Sequence, residues 1–545
     1  MLQHLGVRCA LAAIGLLLTH PTIAADIQVQ LGQLPTALQN AMPGDNLLLA
    51  PGVHAGGLFR AGLQNVTIRS SDPTDRAIIR GGINNLQLSD ATNVTIEQLV
   101  FEDGTGNGIN IDDGGSFETP STNITLRDIT VRNVGAGGNN DGIKLSGVTG
   151  FLIDGVRVLN WGAGGSAVDP VGSHNGLIQN SLFRHTAGGS SGVRPKGGSK
   201  NITIRANRFE LPSGDGRAIQ FGGSTGAQFF RFIDGDSGYE ADSMVAAGNV
   251  IVGGNSAANW VNIDGGVYHH NVIQRPSRWT MRILNENQGG PYVDTRNGVF
   301  RDNIAVFNDT VSEYSQAVNI GPETEASTFS FANNQWFNLA DPTAAGSTPS
   351  LPSAEPGGIY GQAPNVDIDD VIAWEFDWGV WLVNATENAT SFMLDDSLAF
   401  ELANEADPAA VFLPSQADPF VGPWTFSNAS NDLPMAPFSQ RILRFSASDL
   451  NADSNADGDI DGDDYLAWQR GFGGEGLLLA DGNFNDDDQV DADDLSIWLS
   501  QFGLANQAAP SGAVDAIPEL PTMALAIVAA VYCVGIGKPR RRGKP

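Results

Sequence analysis

Cysteine is almost absent from this chain. Cys9 heads an apolar run near the N-terminus and Cys533 lies in another near the C-terminus, so the body between them contains none. No disulfide can hold that body together; packing, hydrogen-bond ladders or bound metal must do so. Cations are scarce as well: 30 Lys and Arg stand against 61 Asp and Glu, a formal net charge of −31. Such a balance repels nucleic acid and acidic membranes at long range. No nucleic-acid partner is expected, and any anionic ligand has to be caught by a local patch or a bound cation. Charged residues of every kind reach only 17%, too few to cover a fold built from ordinary surface helices. Glycine, by contrast, is plentiful at 66 residues, and an all-β chain rich in turns is the first expectation.

With 545 residues the chain is too long for one ordinary compact domain, unless a repeat stretches a single unit along an axis. A repeat is present. Asn65-Val66-Thr67-Ile68, Asn93-Val94-Thr95-Ile96, Asn123-Ile124-Thr125-Leu126 and Asn201-Ile202-Thr203-Ile204 are versions of one phrase, with weaker copies from Gly150 and Asn175. Successive starts lie 25 to 30 residues apart, a spacing that means stacked repeats. Each phrase opens an alternating stretch such as Ile96 to Phe101, followed by a Gly-rich turn and a second short strand such as Gly142 to Leu145. The leucine and asparagine consensus of leucine-rich repeats is missing. The pattern instead resembles the right-handed parallel β-helix, whose coils each add two or three strands to parallel sheets. This fold is expected over 25–340, with the later coils carried by Asn249, Asn271, Asn303 and Asn333-Asn334. The asparagines suit left-handed turns and stacking of amides between coils, a structural role.

From 341 to 447 the chain becomes rich in Pro, Asp and Trp, with Trp374, Trp378 and Trp381 close together. This stretch is expected to cap or extend the coil, whose open end would otherwise expose strand edges. A separate carbohydrate-binding module using those aromatics is the alternative.

Residues 449–503 hold a different motif. Asp453, Asn455, Asp457, Asp459, Asp461 and Asp464 occupy positions 1, 3, 5, 7, 9 and 12 of an acidic loop with Gly458 at position 6, the oxygen set that calcium prefers. Asn483, Asn485, Asp487, Gln489, Asp491 and Asp494 repeat it, with Asp488 where the glycine is expected, so the second site should be the weaker. Each loop runs into a similar helix, through Trp468 and Trp498. The duplicated unit resembles the type I dockerin, a small α-helical EF-hand-like module with Asp at position 12. That resemblance implies Ca2+ in both loops and a cohesin-like protein partner.

The ends concern address. Arg8, an apolar run to Leu18 and Thr22-Ile23-Ala24 before Ala25 read as a signal peptide over 1–24, so export is expected. Beyond a linker at 504–516, the tail at 517–545 carries Ile517-Pro518-Glu519-Leu520-Pro521, an apolar run from Met523 to Ile536, and Arg540-Arg541-Arg542. It resembles the Pro-Glu-Pro C-terminal sorting signals of exopolysaccharide-producing bacteria, with Leu520 at the second proline. The run is short for a membrane span; unprocessed, it would give weak, transient anchoring, and the expected location is secreted or cell-surface.

Stacking the second strands places Asn110, Lys144, Asp169, Arg194 and Gln220 in one outward column, with Asp141, His174, His185, Lys196 and Arg217 nearby. In a chain this short of charge, a solvated face with cross-coil salt bridges is the plain explanation. The chemical one is elimination from a uronic acid, which needs cations on the carboxylate and a base for the neighbouring C–H proton. Arg194 and Lys144 suit the first task and Lys196 the second. Asp169 suits orienting a cation or binding Ca2+ in the body, and His174 or His185 suits returning a proton to the leaving oxygen. The body resembles the pectate-lyase-like superfamily, and Lys196 before a Gly/Ser turn is similar to the alginate and chondroitin lyases. Their paired calcium-binding glutamates have no counterpart just before Lys196, and Gln220 to Gly222 stand near where their arginine falls. A glycoside hydrolase using Asp141 and Asp169, or a non-catalytic glycan-binding surface protein, are the alternatives.

Overall fold

The computed structural model describes residues 25–502, apart from 188–190, 213, 215, 234, 236–237, 288–291, 310–316, 377–378, 395–399, 405–424, 429–431, 446–451, 456–458, 475–477 and 485–488. The expected signal peptide at 1–24 and the linker and sorting tail at 504–545 lie outside the described residues. Two compact units divide the chain, Met1–Asp449 and Leu450–Pro545.

The first unit is a parallel β-helix. Three parallel sheets of 13, 12 and 10 strands run along it, and each coil contributes one strand to each sheet in turn. The phrase read from the sequence forms the 13-stranded sheet: Val66, Val94, Ile124 and Phe151 stand in one register column, and Ile68, Ile96, Leu126 and Ile153 in the next. All eight are buried. Like thus stacks on like along the axis, each large side chain contributing roughly 1.5–3 kcal/mol of burial.

The left-handed turns that close each coil belong to the asparagines. Asn65, Asn93, Asn123, Asn175 and Asn201 all have φ between 52° and 59°, and their amides hydrogen-bond from coil to coil, as in Asn93 to Asn65 at 2.8 Å and Asn123 to Asn93 at 2.9 Å. Gly150 takes the same place at φ 74°, where a Cβ would lie 2.8 Å from the Asn123 side chain. A second, fully buried ladder runs through the later coils. Each amide donates to the next: Asn207 to Asn249, Asn249 to Asn271, Asn271 to Asn303 and Asn303 to Asn334, at 2.9–3.0 Å. Asn334 ends it on Glu355 at 2.6 Å. Asn271→Ala would take the acceptor from the buried Asn249 amide and break the ladder on both sides, leaving Asn249 its bond to the Ile204 carbonyl and Asn303 its bond from the residue 271 backbone amide. It should lower unfolding free energy by about 3 kcal/mol, measured in urea titrations.

After Phe221 the spacing of the repeat becomes irregular. An excursion at 223–240 leaves the 10-stranded sheet before the next strand, Ala241–Ala247, rejoins the register beside Ser199–Arg205. The coil continues to Gln335–Asn338 and a last short strand, Ile359–Tyr360.

The stretch 341–447 carries strands of its own. Residues Val371–Phe376, Gly379–Asn384, Ser439–Phe445, Phe400–Asn404 and Thr425–Asn428 form an antiparallel sheet packed on the coil's flank, with Trp381, Val383 and Ile442 against Ala206, Ala247, Val250 and Val272. Flank packing wins because those outward positions are apolar and would otherwise face water. Trp381 is fully buried and donates to Gln440, and Trp374 packs edge-on against His270. Trp381 thus has no face open to a sugar, and Trp378 is outside the described residues.

The second unit pairs the helices Gly462–Gly471 and Ala492–Gln501 around Trp468, Phe484, Val490 and Trp498. No helix among the described residues is long and apolar enough to cross a membrane.

Candidate functional site

The 10-stranded sheet carries the charged column. Its register pairs Gln87 with Asn110, Asn110 with Lys144, and Lys144 with Asp169. Arg194 follows just past Ser191–Val193, with its amide on the Val168 carbonyl at 3.1 Å. Gln220, Asn259, Arg282 and Asn319 continue the line. Alternation puts these residues outside: Ile143 and Leu145 are core, and Lys144 between them is not.

Asp169 lies at the centre with 1% exposure. Its Oδ2 holds the Lys144 ammonium, its Oδ1 is 2.7 Å from Lys196 Nζ, and Arg194 Nε is 3.8 Å away. Asp141, also 1% exposed, accepts from the Ser166 amide at 2.8 Å and stands 3.3 Å from the same Lys144 ammonium. The cations sit above these acids, with 24%, 23% and 11% of the Lys144, Arg194 and Lys196 side chains exposed. Arg194 is the least satisfied, since its buried Nε has no hydrogen-bond partner among the described residues.

The electrostatics follow from burial and crowding. Burial pushes Asp141 up, and the neighbouring Asp169 charge adds to it, bringing its pKa to about 6. Burial also pushes Asp169 up, but Lys196, Lys144 and Arg194 more than reverse this and hold it well below the usual carboxylate range. Lys196 is driven down by burial first, with Arg194 and Lys144 helping and Asp169 opposing. Lys144 goes up, because its two carboxylates outweigh its burial. Since the Asp141 pKa is raised in the fold, its contribution to stability is fully present below about pH 4 and is lost as pH rises through 6. Asp141→Asn should therefore gain stability relative to wild type between pH 4 and 7, by on the order of 2 kcal/mol in denaturant titrations.

The sequence-named histidines are not part of this cluster. The chain turns a corner at Gly172, and His174 falls on the 13-stranded sheet between Thr149 and Lys200. It is fully buried, neither ring nitrogen has a hydrogen-bond partner among the described residues, and burial followed by the charges of Arg231 and Lys200 depresses its pKa to about 3. His185 donates from Nε2 to the Trp161 carbonyl at 2.7 Å and accepts at Nδ1 from the Ala187 amide at 2.9 Å, which occupies both nitrogens. Arg217 is engaged by Gln220 at 2.5 Å and Glu286 at 2.6 Å. Two contributors carry no sequence signal, because long excursions bring them in. Arg231 reaches the Phe117 carbonyl and Thr149, and Glu240 holds the turn after Lys196.

In the second unit the two loops are built alike. Asp464 accepts from the amides of Ser454 and Asp461, both at 2.8 Å; Asp494 accepts from Phe484 at 2.6 Å and Asp491 at 2.8 Å. Each position-12 carboxylate is thus buried and folded into its loop. Trp468 donates to the Asp491 carbonyl and Trp498 to the Asp461 carbonyl, so each helix grips the other loop at position 9. Asp453 is buried too, and Arg470, which is exposed, is the one basic residue between 451 and 502. Asp453 and Asp464 are the buried carboxylates of the first loop that could hold a Ca2+ ion. Asp459, Asp461, Asn455, Gln489 and Asp491 stand in the described loops, while Asp457, Asn485 and Asp487 lie outside the described residues.

The chain matches no family model and no curated protein. Among solved structures it is similar to a mannuronic acid specific polysaccharide family 6 lyase from human gut microbiota, at 15% identity over 57% of this chain and 81% of that one, TM-score 0.39. It is similar also to the family 28 exopolygalacturonase of Yersinia enterocolitica, at 13% over 62% and 78%, TM-score 0.38. A third is a tailspike protein mutant of the E. coli bacteriophage HK620, at 13% over 62% and 59%, TM-score 0.34. At these identities and TM-scores the likenesses carry no conclusion about what this chain does.

Proposed function

We propose that the protein is a secreted or surface-held polysaccharide lyase that cleaves a uronic-acid glycan by β-elimination. The observation that carries this reading is the under-satisfied Arg194 guanidinium, flanked by Lys144 and Lys196 over a buried Asp169. In a chain of net charge −31, the partly exposed Lys144 and Arg194 beside the largely buried Lys196 would form a local anion site. Arg194 and Lys144 would neutralise the sugar carboxylate, which acidifies the C–H beside it. Lys196, whose pKa burial lowers, would take that proton as its neutral amine. The electron pair then forms the C=C bond as the glycosidic oxygen leaves. With His174 and His185 outside the cluster, the Lys196 ammonium would return the proton to that oxygen.

Hydrolysis fits less well. Asp141 and Asp169 are both buried and share one ammonium, so neither is free to protonate a glycosidic oxygen or to attack a sugar. Incubation with alginate, pectate and chondroitin separates the outcomes: an unsaturated, ultraviolet-absorbing product marks elimination, and new reducing ends without it mark hydrolysis. Binding with neither marks a glycan-binding protein and overturns the catalytic reading.

We further propose that 449–503 is a dockerin-like module holding Ca2+ in both loops, with a cohesin-like protein as its partner. Chelation should then unfold the helices Gly462–Gly471 and Ala492–Gln501 while leaving the coil intact. Limited proteolysis with and without chelator reads this directly, as new cleavage confined to 450–502. Unchanged protection there would remove the metal from the module.

A further inference from the structure

We propose that Glu240 is a positioning residue that aims Lys196, a role that rests on the lyase reading above. Lys196 stands where the 10-stranded sheet has nearly run out. Ser191–Val193 is short, and one isolated bridge, to Val171, holds Lys196 to the preceding coil. The two residues after it, Gly197 and Gly198, have φ of 64° and 84°, a turn with little stiffness of its own. Something else must fix it.

Glu240 does so from the end of the 223–240 excursion. It is fully buried. Its Oε2 accepts from the Gly197 amide at 2.8 Å and from Thr225 Oγ1 at 2.7 Å; its Oε1 accepts from the Thr225 amide at 2.7 Å and from the Asn287 side chain. The Gly198 amide donates to its carbonyl at 2.9 Å, and the Glu240 amide donates to the Asn262 carbonyl at 2.9 Å. One side chain therefore ties the turn after Lys196 to the near end of its own excursion and to the 285–297 excursion. It makes no ion pair among the described residues. A buried carboxylate served only by neutral donors is costly to keep, and what this one holds in common is the backbone that carries Lys196. Close by, a Cβ on Gly223 would lie 3.2 Å from Lys196 Cδ, so the same excursion also covers the lysine stem. The charged groups facing Lys196 are Asp169, Arg194 and Lys144.

Glu240→Gln keeps the size and turns one acceptor into a donor facing other donors. On whichever uronate polymer the wild type cleaves, kcat should fall by about 10- to 100-fold with KM within about two-fold, because orientation is lost and not binding. The ascending limb of the pH–rate profile should move to higher pH, since a loosened turn exposes Lys196 and relaxes the burial that lowers its pKa. Glu240→Asp, which keeps the charge, should recover part of the rate. If Glu240→Gln disturbs folding, Thr225→Val removes a single donor to Oε2 and should give the same change in smaller measure. Wild-type kcat and an unmoved limb in folded Glu240→Gln would overturn the proposal. Should the wild type cleave no uronate polymer, the lyase reading fails, and 15N NMR titration of Lys196 decides the positioning separately. A Lys196 pKa raised by Glu240→Gln supports it, and an unchanged one defeats it.

Discussion

Lys196→Ala should abolish elimination, lowering kcat by about 10²- to 10⁴-fold, the usual worth of a general base. The fold should survive, because Asp169 keeps its contact with Lys144 and Arg194 remains beside it. Lys196→Arg should fail almost as completely, because a guanidinium stays charged and cannot accept the proton. Arg194→Ala should behave differently. On the proposed mechanism it would remove a grip on the substrate carboxylate that is made before and during proton transfer, so both KM and kcat should suffer. Product absorbance across a concentration series separates the two patterns, and normal turnover by Lys196→Ala would take this lysine out of the chemistry.

How much of this was legible in the sequence depends on what carried the signal. The coil period is written in residues that the backbone geometry demands. Asn65, Asn93 and Asn123 sit at positive φ, where few side chains are comfortable, so the asparagine phrase marks each coil. Once that phrase is aligned, Lys144, Asp169 and Arg194 must fall on one line. The inner ladder could be read for the same reason: Asn249, Asn271, Asn303 and Asn334 each follow a residue at positive φ and precede an apolar strand.

What a repeat does not reveal is the traffic at its corners. His174 is five residues beyond Asp169, but the turn at Gly172 sends it to another sheet, beneath the excursion that carries Arg231. Glu240 is brought to Gly197 by a detour whose length obeys no period. The antiparallel sheet on the flank is not legible in the sequence, because alternating residues in 371–445 show that strands exist, not which surface they cover. Burial is the other hidden variable. Asp141 and Lys144 look like an exposed i,i+3 pair in sequence, whereas the fold leaves Asp141 1% exposed, and this is what raises its pKa to about 6.

Asp169→Ala should be the most damaging single change to the stability of the coil. Removing this carboxylate leaves Lys144, Arg194 and Lys196 around an apolar gap, three cations with only Asp141 to share. Breaking a buried charge cluster from one side costs about 3–5 kcal/mol, and here the orphaned charges also repel one another. Asp169→Asn should cost less, since its amide oxygen still accepts a hydrogen bond. The pH dependence gives an independent check. Burial raises the Asp169 pKa and the three cations more than cancel that rise, so the folded value lies below the unfolded one. The stability this group contributes is therefore fully present above pH ~3.9 and is lost as pH falls through the folded pKa. Wild type and Asp169→Asn should differ most near neutrality and converge in acid, with Asp141 acting in the opposite sense between pH 4 and 6. Denaturant titrations of both proteins at several pH values would show the convergence. A constant difference down to low pH would mean that Asp169 matters for its shape and not for its charge.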